Sequence, residues 1–90
     1  MNDGVFRALS DPTRRSILEL LATGDRTAGE IAERFPVAFA SVSHHLGVLR
    51  SADLVTTERR GQHIVYRLDT TVYQELMRSI LKMFGKANHA

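Results

Sequence analysis

One stretch of the chain restricts its fold more than any other. Val55-Thr56-Thr57-Glu58-Arg59 and His63-Ile64-Val65-Tyr66-Arg67-Leu68 alternate and are rich in β-branched residues, with Arg60-Gly61-Gln62 between them. Such alternation suits two strands, and the central glycine suits a hairpin tip carrying Arg59 and Arg60. The flanking segments have helical spacing, and an all-helical bundle would need this branched run to be helical against its own pattern. With 90 residues the chain has room for one core. A domain this small buries only about 60% of the surface its unfolded form exposes, so it gains from a partner subunit.

The helical segments carry their own punctuation. Val5-Phe6-Arg7-Ala8-Leu9 is a short amphipathic stretch with Asn2 or Asp3 available as N-cap. Asp11 can cap a second helix, and Pro12 suits its first position, where the missing N–H has no partner to lose. Ile17, Leu18, Leu20 and Leu21 give that helix its apolar stripe, and Gly24 is expected to end it in a left-handed conformation. Thr27-Ala28-Gly29-Glu30 reads as a capping box opening a short helix that buries Ile31, Ala32 and Phe35.

After Pro36-Val37 a fourth helix is predicted from about Phe39 to Ser51. Val42, Leu46 and Leu49 share one face, and Ala40, Ser41, His44, Gly47 and Val48 share the other. Helices joined by so short a turn cross steeply, the helix-turn-helix arrangement. From Thr71 a last helix shows Val72, Tyr73, Leu76, Ile80, Met83 and Phe84, with Arg78, Lys82 and Lys86 toward the negative end of its dipole. The predicted fold is mainly α with a small β-hairpin (α+β), a winged helix-turn-helix of order α-α-α-α-β-β-α. It forms a single domain over 1–90, with 27–51 as helix-turn-helix and 55–68 as wing.

Composition narrows the chemistry. With no cysteine, disulfide scaffolds, thiolate metal sites and cysteine nucleophiles are excluded. No apolar run reaches the roughly 18–20 residues of a membrane span, and the first residues do not read as a secretory signal, so a cytoplasmic protein is expected. No Ser-His-Asp spacing, phosphate-cradling glycine loop or cofactor fingerprint occurs, which argues against an enzyme. The net charge of +2 is small, but its placement is uneven. Residues 1–30 hold four arginines against five acids, whereas residues 38–67 hold Arg50, Arg59, Arg60 and Arg67 against Asp53 and Glu58. A local positive excess is the footprint of a phosphate-binding face, although such clusters also occur as ordinary solvated surface.

The outward face of the fourth helix lacks the Glu and Lys of a solvated helix. Small residues there let the backbone approach another surface, and His44 adds a hydrogen-bonding tip. That suits insertion into the major groove of double-stranded DNA, with Ser41, Ser43 and His44 as base or phosphate contacts. Arg59 and Arg60 would reach phosphates or the adjacent minor groove. His45 lies toward the buried flank, as a packed or phosphate-bonded histidine. A winged-helix protein–protein module would instead want an acidic or apolar face and an uncharged hairpin tip. RNA binding would want stacking aromatics that this face lacks.

Leu9-Ser10-Asp11-Pro12-Thr13-Arg14-Arg15, Ile17-Leu18-Glu19-Leu20-Leu21, Val42-Ser43-His44-His45-Leu46-Gly47-Val48-Leu49-Arg50 and Arg60-Gly61-Gln62 before Tyr66-Arg67-Leu68 resemble the ArsR-type winged-helix repressors of bacteria. The resemblance covers nearly the whole chain. It implies a homodimer whose first and last helices (1–9 and 71–86) pack across a two-fold axis while two recognition helices read a pseudo-palindromic operator. The DNA-binding set is then Phe39, Ala40, Ser41, Ser43, His44, His45 and Arg50, with Arg59, Arg60, Gly61 and Gln62 in the wing. The seam set is Val5, Phe6, Leu9, Val72, Tyr73, Leu76, Ile80, Met83 and Phe84. The apolar excess of the last helix would equally suit a docking groove for an inducing partner.

Where family members often carry a capping Ser, a polar residue and Pro, this chain has Ala38-Phe39-Ala40. Losing such a cap costs roughly 0.5–2 kcal/mol. Phe39 is then either tucked against the core or exposed near the DNA, where it suits a thymine methyl. Many relatives sense metals, but the ligand positions are empty here. There is no Cys in Thr27–Phe35, no His between Thr71 and Lys86, and Glu75 is the only acid of that last segment. Adjacent His44 and His45 point about 100° apart on a helix, and His63 and His89 stand elsewhere. The expectation is a repressor with no metal and no cofactor, of the autoregulatory kind, answering if at all to a protein or small molecule.

Overall fold

Local signals decide where the helices begin and end. The computed structural model describes residues 3–88, in the order α1 (Asp3–Leu9), α2 (Pro12–Leu21), β1 (Arg26–Thr27), α3 (Ala28–Ala32), α4 (Phe39–Ser51), β2 (Val55–Arg60), β3 (His63–Leu68) and α5 (Thr70–Asn88). At the start of α2 the Asp11 side chain accepts from the Arg14 N–H at 3.0 Å, with Pro12 in the first turn. That backbone hydrogen bond holds the Asp11 carboxyl below its ordinary range. The Thr27/Glu30 box closes in both directions, Glu30 N–H to Thr27 Oγ1 at 3.2 Å and Thr27 N–H to Glu30 Oε1 at 2.8 Å.

Two local expectations are corrected. Asp3 is the first residue of α1 rather than its cap, and Asn2, like His89, lies outside the described residues. α2 closes by a tightened turn, Thr23 N–H to the Leu20 carbonyl and Gly24 N–H to the Leu21 carbonyl. Gly24 then has φ +153, a glycine-favouring region but not the left-handed helical one. The left-handed cap falls instead on Asp53, φ +60, after α4. There Leu54 N–H bonds the Leu49 carbonyl and Asp53 N–H the Arg50 carbonyl, both at 3.0 Å, a Schellman motif flanked by buried Leu49 and Leu54.

The hairpin pairs Val55 with Leu68 through Arg60 with His63, leaving Gly61-Gln62 as a two-residue loop. Arg60 therefore ends the strand rather than opening the turn. Gly61 at φ +62 supplies the first position of a type II′ connection. A strand absent from the expected order joins the sheet: Arg26 and Thr27 of β1 pair with Tyr66 and Val65, giving the order β1-β3-β2.

The core gathers Ile17, Leu18 and Leu21 of α2, Ile31 of α3, Val42, Leu46 and Leu49 of α4, and Leu54 and Val55, with Val5 and Ala8 of α1 packed on them. Leu76 is the buried side chain that α5 contributes, and beyond it the helix departs from the body. The radius of gyration is 14.8 Å with a long axis of 54 Å, against roughly 12 Å for a compact chain of this length. No helix among the described residues is long and apolar enough to cross a membrane.

Candidate nucleic-acid interface

α4 sits with one face fully committed. Val42, Leu46 and Leu49 are almost completely buried, so the helix must present the residues about 180° away. Ala40, Ser41, Ser43, His44, Gly47 and Arg50 are all exposed. Phe39 is 57% exposed, because the first turn projects past the core that its angle would otherwise reach. Ala38 has the extended backbone of an N-cap but no side-chain hydrogen bond to the helix.

His45 takes the flank position expected of it. Its side chain is 16% exposed, and Nδ1 lies 3.1 Å from Arg14 Nη1 and 3.9 Å from Asp11 Oδ2. The ring points into the α1–α2 junction, so that nitrogen is already engaged. Its ring centroid is 5.8 Å from that of His44, tilted 54°. Among the described residues no three His, Asp or Glu side chains converge as metal ligands.

The wing separates its arginines. Arg60 reaches Glu58 Oε2 with Nη2 at 3.0 Å and lies 4.0 Å from Asp25 Oδ2. Arg67 donates to Asp25 Oδ2 at 2.9 Å and lies 3.4 Å from Glu58 Oε2. Both stand on one sheet face with their acids. Arg59, one residue along and on the other face, donates among the described residues only to the Gly61 carbonyl, at 3.2 Å. Gln62 borders a shallow cleft with His63 and with Thr27, Glu30 and Glu33 of the α3 region, which leans the tip toward the helix-turn-helix.

Sequence reasoning missed Arg7. It lines an open groove of about 560 Å³ with Gly4 of α1 and His44, Gly47, Val48 and Ser51 of α4. Its side chain has no hydrogen bond or ion pair among the described residues. No local pattern marks such a residue, since only the packing of α1 on α4 brings it beside His44.

The expected seam residues divide. Val5 and Leu76 are buried in the protomer's own core, and Leu9, Val72 and Tyr73 are partly spent there. Phe6, Ile80, Met83 and Phe84 are exposed, as are Met77 and Leu81, which stand outside the set expected from sequence. The signal for those two was present: on a helical wheel they extend the α5 apolar arc to about 180°. The Tyr73 hydroxyl is enclosed without a hydrogen-bond partner among the described residues, and burial pushes its ionisation up to about 12.

A family model described as a helix-turn-helix domain matches residues 9–58. The transcriptional repressor SdpR of Bacillus subtilis is 47% identical over 87 residues, 97% of each chain. An ArsR-like transcriptional regulator from Rhodococcus sp. RHA1 is similar in structure, with a TM-score of 0.87 at 31% identity over 96% of this chain and 81% of that one. The homodimeric winged helix-turn-helix DNA-binding domain of Mb0332 from Mycobacterium bovis gives a TM-score of 0.74 at 28% identity, covering 97% of this chain and 82% of that one.

Proposed function

The chain belongs to the ArsR-type helix-turn-helix family of transcriptional regulators, and from that premise we propose that it is a cytoplasmic repressor acting as a homodimer on a pseudo-palindromic operator, without a metal effector. One observation carries the reading: α4 buries one face and leaves the small, uncharged face of Ala40, Ser41, His44 and Gly47 open. Such a face lets the helix backbone enter a major groove. Cations frame it, with Arg59 at the wing tip, Arg50 in the last turn of α4 and Arg7 at the α1–α4 groove. Arranged so, they serve phosphates and hold register while the α4 side chains read bases.

The dimer is supported by the apolar side chains that α5 and Phe6 leave in water, a patch a lone domain of this size rarely tolerates. Metal independence rests on the missing ligands of the expected positions and on His45 being turned toward Arg14.

The test is a mobility shift on DNA upstream of the protein's own gene, repeated across salt concentrations and with chelator or zinc added. Binding should be tight, salt-sensitive and indifferent to both additions. His44→Ala should lower the operator-to-random affinity ratio by about 1–3 kcal/mol, the value of a base contact. An unchanged ratio removes His44 from the reading set.

A further inference from the structure

Arg14 belongs to α2, yet its side chain serves two other helices. Nε donates to the Ala8 carbonyl at 2.7 Å and Nη2 to the Arg7 carbonyl at 3.1 Å, both in the last turn of α1. Both belong to the last carbonyls of the helix, which have no i+4 partner within it; the Arg7 carbonyl also accepts from the Ser10 N–H and Oγ. Nη1 lies 3.1 Å from His45 Nδ1 on α4. A guanidinium can only donate, so Nδ1 accepts and the proton of the neutral imidazole sits on Nε2. Asp11, whose carboxylate caps the Arg14 N–H, stands beside the pair at 3.9 Å from Nδ1.

The consequence concerns rotation. Val42, Leu46 and Leu49 seat α4 in the core, but apolar burial is non-directional and fixes depth better than azimuth. α4 has no side-chain N-cap to pin its first turn. The Arg14–His45 bond is directional and lies on the flank, where it resists turning. With side-chain tips on a radius of about 5–6 Å, a roll of about 20° moves them by roughly 2 Å. That exceeds the tolerance of a hydrogen bond to a base edge.

We propose that Arg14 is a positioning residue: it fixes the rotation of α4 through His45 and ties it to α1, so that the seam-side helix and the reading helix form one rigid unit. The proposal rests on the DNA-binding reading. A planar guanidinium meets three acceptors on two helices at once, which the single ammonium of a lysine does not.

The experiment compares the wild-type protein with Arg14→Lys and Arg14→Ala, measuring thermal unfolding, affinity for operator and random duplexes across salt, and the 15N spectrum of the histidine rings. At mildly alkaline pH, where imidazoles are neutral, wild-type His45 should be protonated at Nε2 only. In a folded Arg14→Lys protein it should become a mixture of tautomers. Operator preference should drop about tenfold, the worth of one charge-assisted hydrogen bond. Random-duplex affinity and the salt slope should stay unchanged, because the Arg14 donors are engaged by the Ala8 and Arg7 carbonyls and by His45. Wild-type His45 protonated at Nδ1 overturns the proposal without recourse to a variant. So does a folded Arg14→Lys protein with full operator preference, or one whose salt slope falls as it would for a missing phosphate partner. A wild-type protein with no operator preference sinks the DNA-binding reading instead, and is told apart because failure of the latch leaves that preference intact.

Discussion

Arg59 and Arg60 are neighbours in sequence and unequal in structure. Strand alternation sends them to opposite faces of the hairpin, and only Arg60 meets acids, Glu58 and, more distantly, Asp25. An exposed pair of this kind is worth about 0–1 kcal/mol, so Arg60 can leave it for a phosphate, but the acids remain nearby and offset the gain. Arg59 faces no such competition among the described residues. Arg59→Ala is therefore expected to weaken binding to every duplex and to flatten the salt dependence by about 0.9 for each phosphate it no longer neutralises. Arg60→Ala should change that slope less. Equal slopes for the two variants, read from affinities over a salt series, would remove the distinction. Alternation along a strand already places Glu58 and Arg60 on one face and Arg59 on the other; the contact with Asp25, distant in sequence, arises only after the sheet has formed.

Helix boundaries were legible to the extent that their causes are local. The Asp11-Pro12 start, the Thr27/Glu30 box and the span Phe39–Ser51 all depend on residues within one turn, and all appear where the sequence puts them. β1 did not show, since two residues carry no alternation and Arg26-Thr27 become a strand only against Tyr66 and Val65. The inward turn of His45 was half-legible: its angle beside Leu46 pointed to the flank, but not to Arg14. Two predictions belong to this scale. Ala38 already holds an extended N-cap backbone, φ −63 and ψ 148, with no side-chain bond to the helix. Ala38→Ser should thus stabilise the fold by roughly 0.5–2 kcal/mol, read as a higher denaturant midpoint at unchanged slope. The caps of α2 and α3 include carboxylates, Asp11 and Glu30, held below their ordinary values of 3.8 and 4.5 by hydrogen bonds from the Arg14 and Thr27 backbone groups respectively. A depressed folded value favours the native state above the unfolded value, and that stability is lost as pH falls through the folded one. Acidification through the carboxylate range should loosen both helix starts. Asp11→Asn should lessen the pH dependence of thermal stability there without removing it, since Glu30 still titrates.

At the scale of the whole molecule, the second half of α5 leaves its apolar side chains exposed among the described residues. From Met77 to Phe84 the exposed apolar side chains Met77, Ile80, Leu81, Met83 and Phe84 cover too wide an arc for one flank of this small body. A helix with that arc is stable in water when another surface closes over it. If the closing surface is the same helix of a second copy, each apolar residue meets its own counterpart's neighbourhood across a two-fold axis, and one substitution changes the seam twice. Ile80 lies near the middle of the arc and is partly exposed, so it can be altered without opening the protomer core. Ile80→Glu should then yield a folded monomer by sedimentation. It should also lose most operator affinity, because half-sites about 34 Å apart must be engaged together. The same variant separates seam from docking groove. A groove for an inducing partner would leave the protein dimeric and still on its operator after Ile80→Glu, and would abolish only the response to that partner. A monomer retaining full operator affinity would instead dispose of the two-fold arrangement and leave each α4 reading its half-site alone.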